Sequence, residues 1–166
     1  IFVSSLFNWI NFNFILAIWQ YIYSLLDNTK IERKKMIAIG QQAPNFSFTN
    51  QDGANVSLGD FAGQYVLMWW YPRADTPGWT IEGEGFRDRI QEFNAKNCVI
   101  LGVSFGSDAN NKAFKDKASF PYDLLTDADT MASTAFGVVT SERGTPNRVS
   151  VLISPEGTIA KTYDTV

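Results

Sequence analysis

An α/β domain with a mixed central β-sheet flanked by helices is the fold class this 166-residue sequence predicts, on three observations. A continuous apolar run, Tyr65–Tyr71, reads as a strand buried on both faces, and Cys98–Phe105 reads as a second buried strand. Stretches with helical spacing of apolar residues follow them. Near the end, two strand-like segments flank Pro155-Glu156-Gly157 as a hairpin. Strands that alternate with helices before such a hairpin point to a layered α/β domain.

In chain order, Asn45–Thr49 alternates like a half-buried strand after Ala43-Pro44, Asp52-Gly53 signals a turn, and Val56–Leu58 gives the returning strand. The buried run Tyr65–Tyr71 leads into a loop and then a helix. Thr76 is its N-cap, and Pro77 takes the first helical position, where a missing N–H is harmless. Phe86, Ile90 and Phe93 stand at i, i+4, i+7 and form the buried stripe of that single helix. After the run Cys98–Phe105, Ser107 caps a second helix that reaches about Lys117. Residues 120–125 carry a short strand and 127–136 a short helix. Val149–Ile153 and Thr158–Tyr163 form the closing hairpin. No internal repeat or low-complexity tract interrupts this order.

Residues 1–35 differ in kind. Residues 1–26 carry no charge and are long enough to cross a bilayer as a hydrophobic helix. Trp9, Trp19, Tyr21 and Tyr23 suit a membrane interface, and Lys30, Arg33, Lys34 and Lys35 would keep the following domain on the cytoplasmic side. Ser4, Asn8 and Asn11 share one face, but Asn13, Gln20 and Ser24 lie opposite, so the segment is not cleanly amphipathic. Met36 opens MIAIGQQAPNF, which reads as the start of a domain. Residues 1–35 are thus open to three readings: a membrane anchor or membrane-associated helix, an upstream in-frame extension, or a signal peptide without its basic n-region. The domain itself is set at residues 36–166.

Composition removes much of the catalytic repertoire. One cysteine excludes an internal disulfide framework, a CxxC redox motif and a thiolate metal cluster. No histidine excludes a Ser-His-Asp triad, a Cys-His pair and the usual zinc and non-haem iron sites. A net charge of −3 gives no basic footprint for nucleic acid. No cofactor and no metal are expected.

The stretch Tyr71-Pro72-Arg73-Ala74-Asp75-Thr76-Pro77-Gly78-Trp79-Thr80 resembles the active-site loop of peroxiredoxins. The likeness is closest to the bacterioferritin comigratory protein branch of the alkyl hydroperoxide reductase and thiol-specific antioxidant (redoxin) family. It runs through IGQQAPNFSFTNQDG, EGFRDRIQEF, VILGVSFGS, FPYDLLTDAD and RVSVLISPEGTI, in that order. The resemblance implies a thioredoxin-like fold, thiol-dependent reduction of hydroperoxides, and a hydroperoxide and a thiol reductant as partners. It also implies one more helix after the terminal hairpin, so that a chain stopping at Val166 is truncated and leaves apolar sheet surface uncovered.

The family loop reads Pro-x-x-x-Thr-x-x-Cys. Pro72 and Thr76 match it, Trp79 stands where the peroxide-attacking cysteine belongs, Glu84 stands where some members carry a resolving cysteine, and Arg148 matches the active-site arginine. By this resemblance Thr76 would hydrogen-bond the peroxide oxygens, Pro72 would shield the site from water, and Arg148 would supply a fixed positive charge. A thiolate is the nucleophile in this chemistry, and an indole has no equivalent lone pair. Whether the chain is an enzyme is therefore open.

Three readings of position 79 stand side by side. The indole fills the pocket on the stripe of Phe86, Ile90 and Phe93; it stacks a ligand; or the codon is UGA and encodes selenocysteine. A silent, membrane-tethered binding module is the alternative to a peroxidase. Cys98 opens a buried strand, where a thiol is inert. Arg148 reads equally as a functional remnant and as a surface-edge arginine. Glu82 and Glu84 suit the positive end of the helix dipole.

Overall fold

A computed structural model describes residues 36–139 and 148–163 of the chain. The expected hydrophobic helix over residues 1–26 and its basic flank lie outside the described residues. Among the described residues, no helix is long and apolar enough to cross a membrane.

The described strands form one mixed sheet in the order β2-β1-β5-β4-β3-β6-β7. They are β1 (Ser47–Asn50), β2 (Asn55–Ser57), β3 (Tyr65–Trp70), β4 (Cys98–Ser104), β5 (Asp123–Thr126), β6 (Val149–Ile153) and β7 (Ile159–Tyr163). β3, β4 and β5 run parallel, and β6 lies antiparallel to both β3 and β7. The helices are α1 (Pro77–Asp88), α2 (Ile90–Ala95), α3 (Asp108–Ala118) and α4 (Met131–Ala135).

The apolar run of β3 is unbroken because both faces are covered. Val66, Met68 and Trp70 enter one core with Val103, Phe136 and Val151. Leu67, Trp69 and Tyr71 enter the other with Ile100, Phe114 and Tyr122, beneath the side where α1 and α2 pack. Such alternation sends each strand's side chains to opposite layers. Gly102 makes room for it, since a Cβ there would stand 2.6 Å from Leu124 Cδ2 and 3.1 Å from Trp69 Nε1.

Several expectations need correcting. The single helix carrying Phe86, Ile90 and Phe93 is two helices, broken at Arg89, where φ is −108° and ψ 12°. All three apolar residues still pack on the second core. The end of α1 is held elsewhere: Arg87 Nη1 donates to the Ala118 carbonyl at 2.7 Å, at the end of α3. Leu58 leaves the β2 strand for a 3-10 turn, Leu58–Phe61, after Ser57 N–H donates to the Asp60 carboxylate at 2.7 Å. The short strand expected within 120–125 is β5, from Asp123 to Thr126, and the rings of Phe120 and Tyr122 ahead of it stack at 5.1 Å. The short helix expected over 127–136 is confined to Met131–Ala135.

Candidate active site

β3 ends beside the parallel strand β4, and the loop 71–76 carries the chain from there to the N-terminus of α1. Tyr71 fixes the start of that loop. It is fully buried, and its hydroxyl donates to Asn111 Oδ1 at 2.8 Å. Ser104 Oγ donates to the same oxygen at 2.9 Å, while Asn111 Nδ2 donates to the Leu125 carbonyl and to Thr126 Oγ1. This hub joins the ends of β3, β4 and β5 to α3. Burial pushes the Tyr71 phenol far above its usual pKa, so it holds its proton. Further along, Asp75 adopts φ +57° and both its carboxylate oxygens take Lys117 Nζ at 2.8 Å.

Thr76 and Pro77 begin α1 as the sequence predicts. The Thr76 carbonyl accepts the N–H groups of Trp79 and Thr80 at 3.1 and 2.9 Å. Its hydroxyl turns back to the Arg73 carbonyl at 3.4 Å rather than capping the helix. Trp79 follows on the first turn, half-buried against the second core. It is thus a lid on that core, not an interior residue.

Arg148 stands one residue before β6, with its side chain 41% exposed, so it does not enter the buried strand. The fold brings it to Trp79: the guanidinium carbon lies 4.5 Å from the ring centroid. Stacking of this kind contributes about 0.5–1 kcal/mol at an exposed site. Gly78 lies beneath it, and a Cβ there would come 3.0 Å from Arg148 Nη2, so the guanidinium would have to shift by a few tenths of an ångström. Arg148 Nε also lies 3.7 Å from Glu82 Oε2. The Glu82 side chain is only 11% exposed, and burial raises its carboxyl pKa against the opposing pull of Arg148.

Pro72 lines a cavity of about 380 Å³ together with Asn110, Asn111 and Phe114, a cavity that neither Trp79 nor Arg148 lines. Glu84 pairs with Arg87 on the helix surface at 3.3 Å. Cys98 is remote. It pairs in register with Tyr65 at the opposite end of β3 from the loop, and five residues of strand span roughly 17 Å. Burial raises its thiol pKa, and its Sγ donates to the Val99 carbonyl at 3.7 Å.

Reading the sequence missed two members of this neighbourhood. Glu82 has a local explanation in the helix dipole, which hid its pairing with Arg148. Asn111 shares the buried face of α3 with Phe114 and Ala118, and that i, i+3, i+7 spacing was the available signal. Among the described residues, no cluster of three or more acidic or thiol side chains could hold a metal ion.

Three comparisons bear on this arrangement. The family model described as AhpC/TSA family matches residues 39–162. Peroxiredoxin Bcp of Escherichia coli K12 is 37% identical over 131 residues, covering 75% of this chain and 84% of its own. Chloroplastic peroxiredoxin Q of Gentiana triflora is 33% identical over 129 residues, 77% of this chain; the chain spans only 59% of that longer relative. Among solved structures, a PrxQ mutant from Xylella fastidiosa superposes with a TM-score of 0.75 at 26% identity, over 80% of this chain and 88% of its own.

Proposed function

Because the chain belongs to the AhpC/TSA family, among peroxiredoxins of the Bcp and PrxQ type, we propose that it keeps the peroxiredoxin frame while its thiol chemistry is silent. The single observation behind this reading is the occupant of the first turn of α1. Trp79 stands there under Arg148, and the sole cysteine lies at the far end of the sheet. A thiolate attacking R–O–O–H forms an S–O bond, breaks the O–O bond and leaves a sulfenic acid and R–OH. An indole offers no such nucleophile, and the buried Cys98 thiol stays protonated.

The rest of the frame suits an anionic nucleophile. The helix N-terminus and the Arg148 guanidinium both favour negative charge at position 79. The test compares peroxide consumption by the native chain with that of Trp79→Cys/Cys98→Ser, using dithiothreitol as reductant. The native chain should be no faster than buffer with reductant. The variant should form a trappable sulfenic acid faster than free cysteine does, and Arg148→Ala in that background should slow it at least tenfold. Native turnover that survives Cys98→Ser would overturn the reading. The same cationic surroundings favour one second reading, a selenolate at this position, and the intact mass of the native protein separates tryptophan from selenocysteine there.

A further inference from the structure

Asn111 is fully buried on α3 and spends its whole hydrogen-bonding capacity on its neighbours. Its Oδ1 accepts from Tyr71 and Ser104, and its Nδ2 donates to the Leu125 carbonyl and Thr126 Oγ1. Ser104, Leu125 and Thr126 belong to strand ends, whereas Tyr71 is the residue at which the chain leaves β3 for the site loop. The Tyr71 N–H still pairs with the Val103 carbonyl at 3.0 Å, and its hydroxyl ties the start of the loop to α3. The same helix holds the far end, where Lys117 Nζ takes both Asp75 oxygens at 2.8 Å. Asp75 keeps φ at +57° there, a conformation uncommon outside glycine. That second tie is exposed and therefore weak; the buried one at Asn111 is the stronger. Between the two lies the cavity of about 380 Å³, lined by Pro72, Arg73 and Ala74 from the loop and by Asn110, Ala113 and Phe114 from the helix. The loop is thus propped on α3 at its ends, with open space along its middle.

We infer that Asn111 is a positioning residue for position 79. Through the Tyr71 hydroxyl it fixes where the loop sets Thr76 and, after it, the first turn of α1. The free N–H groups and the positive dipole end of that turn act over a short range, so a small displacement changes how strongly they favour an anion at position 79. The inference rests on the reading of position 79 as a thiolate site that has lost its thiol. A hub that merely secured the fold would treat its two Oδ1 donors alike. Ser104 closes β4 and lies outside the loop, while Tyr71 begins it, so only the Tyr71 bond carries position to the site.

The reporter is the full chain carrying Trp79→Cys/Cys98→Ser, with its thiol titrated by the rate of iodoacetamide alkylation against pH. Tyr71→Phe deletes one hydroxyl and leaves Asn111 Oδ1 its Ser104 donor. Ser104→Ala deletes the other donor and leaves Tyr71 in place. Both should lower the urea midpoint, since each removes one buried hydrogen bond. Only Tyr71→Phe should raise the pH at which the thiol is half-ionised, by about 0.5, roughly a threefold change in its ionisation constant. Asn111→Ala should raise it at least as far, and adding Tyr71→Phe to it should raise it no further, as one shared path requires; should Asn111→Ala not fold, the two single-hydroxyl variants decide. Equal half-ionisation points for Tyr71→Phe and Ser104→Ala overturn the inference and leave the reading of position 79 intact. A reporter thiol no more acidic than free cysteine overturns both.

Discussion

The Glu82 carboxyl sits one turn into α1 with Arg148 beside it, yet burial has the larger influence on its ionisation. Its pKa in the folded chain therefore lies above the ordinary 4.5. Between those two values the folded state binds the proton more tightly than the unfolded state does. Stability from this residue is full below pH 4.5 and is lost as pH rises through the raised value. Glu82→Gln removes that titration. Its urea midpoint should gain on the native one between pH 4 and pH 7, and a difference constant across that range would show that burial is not the controlling influence. Trp79 and Arg148 were legible in the sequence because a loop pattern and a residue before a late strand mark them. Glu82 and Asn111 were not, because their partners arrive from elements distant in sequence. A glutamate one turn into a helix looks the same in sequence whether it is solvated or shut in beside an arginine.

Within α1, two glycines two residues apart have opposite surroundings. Gly83 is buried, and a Cβ there would stand 2.5 Å from Phe120 Cζ, with the Tyr122 hydroxyl donating to its carbonyl at 2.8 Å. Gly85 has nothing within 4 Å. Gly83→Ala should therefore destabilise the fold by about 1–3 kcal/mol through overpacking, while Gly85→Ala should stabilise it by about 0.5–1 kcal/mol through helix propensity. Chemical denaturation of both variants checks the pair, and equal effects would mean that Phe120 yields freely. Helix starts were easier to foresee than helix ends. Thr76-Pro77 and Ser107 announce α1 and α3 through their own chemistry, and Ser107 Oγ does accept Asn110 N–H at 3.3 Å. No glycine or proline stands at Arg87-Asp88-Arg89, where α1 stops, so the break between α1 and α2 left no local trace.

At the scale of the whole molecule, the sheet was legible because two strands buried on both faces leave continuous apolar runs, and the terminal hairpin has its own turn. Strand order was not, since β1 and β6 join the sheet beside partners far along the chain. The uncharged residues 1–26 carry a separate prediction. If they tether the domain, the full chain should sediment with membranes and resist alkaline carbonate, and a chain beginning at Met36 should not. Full-chain recovery in the supernatant without detergent would remove the tether. The pairing of β3 with β6, Val66 opposite Ile153 and Trp70 opposite Val149, also sets a timetable. During synthesis β3, the loop and α1 leave the ribosome long before β6, and contacts so distant in sequence form late because a long loop must close first. Arg148 arrives with β6. Until then Glu82 lacks the Arg148 cation and Trp79 has no guanidinium over its ring, so a nascent chain paused before Arg148 holds the loop and helix of the candidate site without that charge.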